Sequence, residues 1–141
     1  MLKLSLIICL LAANLQAADL TKEKPTIRKA ALRNNCKGDN LILLYAIRLA
    51  ENGRKGLEFG ILHPKAQKAI RNEPTRSLDI QAGWCACTIV NQHKRSKIKQ
   101  VNNAFIESLG NRYCPIGCDN DNGTNKHWIK NVKFWFYKLK G

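Results

Sequence analysis

The 141 residues include 24 Lys and Arg against 10 Asp and Glu, a formal net charge of +14. This length leaves room for one domain with one moderate core and excludes two. The cations are spread from Lys22 to Lys140 instead of being gathered in one tail. Such a surface favours polyanions: envelope polymers, acidic lipid surfaces or extracellular nucleic acid.

The first residues, MLKLSLIICLLAANLQA, carry an early cation at Lys3, an apolar core from Leu4 to Leu15 and small residues at Ala17 and Ala18. That is the layout of a cleavable secretory signal over 1–17, too short to serve as a spanning helix. Lipidation at Cys9 is a poor fit, because Ile8 stands where a small residue is needed. The mature chain, 18–141, is therefore expected to be secreted or periplasmic, with no transmembrane segment left.

Residues 18–25 are polar and read as a loose lead-in, and "TIRKAALRNN" suits a short helix entered at Thr26 and ended by Gly38. "DNLILLYAIRLAENG" reads as the central core helix, with Asp39 or Asn40 as its N-cap and Gly53 as its stop. "LEFGIL", followed by Pro64, reads as an extended or tightly turned segment. A second core helix is expected from Ser77 to about His93, where Leu78, Ile80, Ala82, Trp84, Cys85, Cys87, Thr88 and Ile89 make an almost all-round apolar surface. "VNNAFIESLG" supplies a short amphipathic helix ending at Gly110. "RYCPIGCDNDNG" is a loop by composition, and Thr124 or Asn125 can cap a last helix through "KHWIKNVKFWFYKLK". The fold expected is a single, mainly α domain with at most a small β element.

Five cysteines follow the signal: Cys36, Cys85, Cys87, Cys114 and Cys118. Export permits disulfides, and two bridges among five cysteines allow fifteen arrangements. Cys85 and Cys87 are about 200° apart around a helix, so they meet different neighbours. CxC plus CxxxC lacks the paired knuckles of structural zinc sites. His63, His93 and His127 share no metal-binding spacing and suit surface or capping positions. "DNDNG" departs from the EF-hand pattern at Gly123 and Lys130. No metal and no cofactor is therefore expected.

Glu51 is the candidate acid. A carboxylate at a helix C-terminus meets the negative end of the dipole, and apolar walls would raise its pKa further, toward the range a general acid needs. The plainer reading is a helix-end Glu paired with Arg48, Arg54 or Lys55. A protonated carboxyl can give its proton to a leaving oxygen, the step that glycoside cleavage uses.

An apolar helix ending in "AENG", a short gap and then "FGILH" resemble the lysozyme and lytic transglycosylase superfamily. There a catalytic Glu ends a central helix, often before Ser-Gly, and a Y-G-I-L-Q or G-L-M-Q segment follows. "FIESLGNRYCPIG" and "NKHWIKNV" resemble the closing Tyr-x-Pro loop and Asn/Trp helix of related phage lysozyme-like domains. The resemblance covers about 38–137 and implies a lysozyme-like fold with Glu51 as the acid. It also implies a glycan cleft lined by Phe59, Gly60, Ile61 and His63, with Tyr113 as a cleft-side hydroxyl.

Two departures stand out. Eight residues separate Glu51 from Gly60, about half the gap of those families, so the β-hairpin that walls their cleft is not expected. No second catalytic carboxylate is evident, with Glu58 and Asp79 the nearest candidates. As the resemblance implies, a lytic transglycosylase works with one Glu, which protonates the glycosidic oxygen and then acts as base while the muramoyl 6-hydroxyl closes an anhydro ring.

Trp84 is expected in the core. Trp128, Phe134, Trp135, Phe136 and Tyr137 form a cluster too dense for one helix face, and an exposed Trp or Tyr can stack on a sugar. The leading expectation is an exported peptidoglycan-cleaving enzyme, a lytic transglycosylase or muramidase-type glycosidase, with glycan strands and anionic envelope polymers as partners. The alternative is a noncatalytic wall-binding or phage-derived structural module on the same scaffold. Beyond charge, no motif supports nucleic-acid binding.

Overall fold

The computed structural model describes residues 20–113 and 124–141, and all of the regular structure among them is helical. The signal read over 1–17, the "CPIGC" segment and the "DNDNG" loop lie outside the described residues. Helix α1 occupies 20–33, α2 Asp39–Glu51, α3 Pro64–Asn72, α4 Ser77–Ser96 after a 3-10 turn at Pro74–Arg76, α5 Asn103–Tyr113 and α6 Thr124–Lys140. The mainly α fold is as expected. Among the described residues, no helix is long and apolar enough to cross a membrane.

Helix α2 is central. It packs against α6 on one side and α4 on another, while α5 bridges α4 and α6, and α3 lies on α4. Leu43, Leu44, Ala46 and Ile47 are wholly buried in one core with Ile27 and Ala30 of α1, Ile89 of α4, Phe105 and Ile106 of α5, and Val132 and Phe136 of α6. Burying each of the larger side chains contributes about 1.5–3 kcal/mol, so tertiary packing outweighs the propensity of any single helix.

Several boundaries differ from the sequence expectation. Residues 20–25 are helical, not a loose lead-in, because Leu20 joins the core and Glu23 is held by Arg48 through bonds of 2.9 and 3.0 Å. Helix α1 closes at Asn35, in the left-handed region at φ 57°. Gly38, expected to end α1, is instead the N-cap of α2. Asp39 lies in the first turn of α2, and Asn40 Oδ1 sits 2.7 Å from His93 Nε2 instead of capping.

At the other end of α2, the left-handed residue is Asn52, at φ 50°. Gly53 serves a different need, since a Cβ there would lie 1.7 Å from the Leu57 carbonyl oxygen. Helix α3 was not anticipated. Its polar sequence hides a two-residue anchor, Ala66 and Ile70, and it starts with the helix-compatible pair His63-Pro64.

Gly110 does not end α5, which runs on to Tyr113. It is a contact point, because a Cβ there would come within 2.5 Å of Ile129 Cγ1 and 3.1 Å of Trp128 Cε3. The bare backbone lets α6 approach α5 closely. Asn125 strengthens the junction by donating to the Gly110 carbonyl at 3.1 Å.

The nearly all-round apolarity of α4 has a structural reason. One stripe, including Ala82, Cys85, Ala86 and Ile89, is buried. Another, including Ile80, Gly83, Trp84 and Thr88, forms part of a groove. Trp84, expected in the core, is half-buried on that second stripe. Cys85 is buried and Cys87 exposed, as their angular separation predicts, and both are free thiols, as is Cys36.

Candidate active site

Glu51 is the last residue of α2, and α6 crosses α2 so that Trp128 reaches it. The indole N–H donates to Glu51 Oε1 at 2.7 Å. Oε2 points at Gly60, where a Cβ would stand 2.7 Å from it. Gly60 also has φ +70°, so the glycine meets two demands: a left-handed turn and room for the carboxyl.

Burial pushes the Glu51 carboxyl above the ordinary Glu range, and the Trp128 bond offsets this only in part. The helix end acts in the same direction as burial, since its free carbonyls disfavour the anion. None of the cations considered as partners for Glu51 neutralises it. Arg48 turns instead to Glu23, and its Nη1 donates to the Gly53 and Glu58 carbonyls at 3.3 Å each.

The 52–63 segment contains no strand and is a series of turns tied down from four sides. Gln81 of α4 accepts from the Phe59 and Ile61 N–H groups at 3.1 and 3.0 Å and donates to the Ile61 carbonyl at 2.9 Å. Gln67 of α3 donates to the Gly56 and Ile61 carbonyls at 3.1 and 2.8 Å. Arg48 of α2 supplies the third tie and Ser77 of α4 the fourth, donating to Glu58 Oε1 at 2.6 Å. Side chains thus do for this segment what a sheet would otherwise do for its backbone polar groups.

A groove of about 970 Å³ passes this turn, a size that suits an extended small ligand. Gly60, Ile61, His63 and Tyr113 line it. Phe59 does not reach it, because its side chain is wholly buried and supports the turn from behind. His63 is exposed, caps α3 by accepting from the Lys65 N–H at 3.1 Å, and stacks on Trp84 at 4.6 Å between centroids. Tyr113 stacks on Trp128 at 5.0 Å. Its hydroxyl, expected in the cleft, is used inward and donates to Cys85 Sγ at 2.7 Å.

Comparison with protein-family models, curated proteins and solved structures gave no match. Burial drives both Cys85 and Tyr113 far toward their protonated forms, and the Glu51 charge adds to this in each case. Both are neutral neighbours that stabilise no anion at Glu51 beyond the single indole bond.

Among the described residues, each of the other carboxylates near the site has at least one hydrogen-bond or ion-pair partner. Asp79 is disfavoured by burial, but hydrogen bonds and charge from Arg33 and Arg76 outweigh this and hold it below the usual carboxylate range. Glu73 pairs with Arg76 at 2.9 Å. Glu58 is buried and turned toward Ser77 and the Gly56 N–H. Among the described residues, no group of three or more His, Cys, Asp and Glu side chains is arranged to hold a metal ion.

Sequence reasoning located Glu51 and the turn but missed Trp128, Gln81, Gln67 and Arg48 as the residues that position them. Trp128 lies 77 residues from its partner and Gln81 20 and 22 from its own, while Arg48 and Gln67 reach theirs across the irregular turn, 5 to 11 residues away. The one available signal was polarity in an apolar setting, Arg48 in "LYAIRLA" and Gln81 in "LDIQAGW".

Proposed function

We propose that the chain cleaves the glycan strands of peptidoglycan outside the cytoplasm, with Glu51 as general acid and then as base. One observation carries this reading: a half-buried carboxyl of raised pKa ends the central helix, with one oxygen fixed by Trp128 and the other directed at the groove-lining Gly60. Glu51 does not itself line the groove, so a glycosidic oxygen would take the proton from Oε2 where the chain passes Gly60. The resulting carboxylate is then placed to accept a proton from the attacking hydroxyl.

A two-carboxylate hydrolase needs a second free acid facing the first. Glu73 and Asp79 are bound to arginines, and Glu58 faces the core. The lytic transglycosylase reaction, in which the sugar's own 6-hydroxyl attacks and no second acid is needed, fits a site whose described residues offer Glu51 alone. The "AENG" to "FGILH" order supports the same reading.

Digestion of purified peptidoglycan by wild type and by Glu51→Gln, with products read by mass spectrometry, tests this. The expected result is anhydromuramoyl fragments from the wild type and a loss of at least about 100-fold in Glu51→Gln, the usual scale for removing a general acid. Reducing ends would indicate hydrolysis. No products from either folded protein would leave a noncatalytic wall-binding module.

A further inference from the structure

Helix α6 has a second exposed feature, unrelated to Glu51. A groove of about 980 Å³ lies along α5 and α6 and shares no lining residue with the first. Trp128, Val132 and Phe136 face the core, which leaves Phe134 and Tyr137 on the outer side, 57% and 47% exposed. Large aromatic rings left this wet beside one another mark a surface that something covers.

The charges around the rings name the partner. Among the described residues, Lys126, Lys130 and Lys138 have no ion-pair partner, whereas Lys133 is matched by Glu107, the one carboxylate among the described residues that line the groove, at 2.7 Å. Lys138 Nζ stands over the Phe134 and Trp135 rings, 5.5 and 5.2 Å from their centres, so cation and aromatic surface share one face.

We infer that this face docks on an anionic phospholipid bilayer, with Phe134 and Tyr137 entering the headgroup region and Lys126, Lys130 and Lys138 meeting phosphates. A soluble polyanion would satisfy the lysines and leave Phe134 in water. An interface that is charged outside and apolar a few ångströms deeper takes both. Docking of this kind would hold the protein at a membrane surface whether or not Glu51 is catalytic.

Co-sedimentation with phosphatidylglycerol-containing vesicles and with pure phosphatidylcholine vesicles tests the assignment, all proteins carrying the same N-terminus and circular dichroism confirming their folding. The wild type should bind only the anionic vesicles. Lys130→Glu with Lys138→Glu should weaken binding by roughly 25-fold or more, at about fivefold per lysine lost. Phe134→Ser, which leaves the charge unchanged, should weaken it by about tenfold or more. Glu51→Gln should bind as wild type does. Failure of the wild type to bind, or full binding by Phe134→Ser, overturns the proposal, and in the second case competition by polyphosphate would assign the patch to soluble polyanions.

Discussion

Glu51 titrates against its surroundings, and the sign of that effect can be measured. Its folded pKa lies above the unfolded value because burial disfavours the anion. The stability contributed by its protonated form is complete below the unfolded value, about 4.3, and is lost as pH rises through the folded value. Glu51→Gln cannot ionise, and its amide oxygen can still accept the indole bond. It should therefore lose less stability than wild type between pH 4 and pH 8, as thermal melts across that range would show. Trp128→Phe removes the one bond that favours the carboxylate. It should move the alkaline limb of the activity profile to higher pH and lower turnover by roughly 10- to 100-fold through looser positioning. An unshifted limb would separate Trp128 from the titration of Glu51. The sequence exposed Glu51 because a helix-end acid before glycine is visible locally, whereas Trp128 was visible only as one of several crowded aromatics.

At the level of elements, the turn between α2 and α3 substitutes side-chain amides for sheet hydrogen bonds. Gln81→Ala would leave the Phe59 and Ile61 N–H groups without their acceptor. The expected loss is about 1–3 kcal/mol for each orphaned donor, read by urea denaturation, with a fall in activity as Gly60 drifts from the carboxyl. Smaller losses would mean that water replaces the amide. Helices α2 and α4 were legible because their apolar positions recur at helical spacing. Helix α3 escaped because "KAQKAIRN" shows too few apolar residues to declare a face, and its anchorage comes from packing on α4. The glycines were misread for a related reason. Gly53 and Gly110 resemble helix stops in sequence, yet the structure requires them where one backbone approaches another part of the chain closely.

For the whole molecule, packing divides the described thiols by environment. Burial pushes the Cys36 thiol up to about 12 and Cys85 well above its usual value, while Cys87 is exposed and lines the groove. In the native protein, maleimide should modify Cys87 in preference to Cys36 and Cys85, as peptide mapping would establish, and the bulky adduct should block glycan cleavage. Cleavage unaffected by complete modification at Cys87 would place the substrate elsewhere. By itself the sequence determined the helical class, the single core, the basic surface and the placing of an acid at the end of the central helix, because periodicity, charge and capping residues act over a few neighbouring positions. Only the tertiary structure decided which groups surround that acid, that Phe59 lies in the core while Gly60 faces the carboxyl, and that Tyr113 turns its hydroxyl inward. Those outcomes depend on helix crossings that bring together residues as distant as Glu51 and Trp128, and no local pattern encodes a crossing angle.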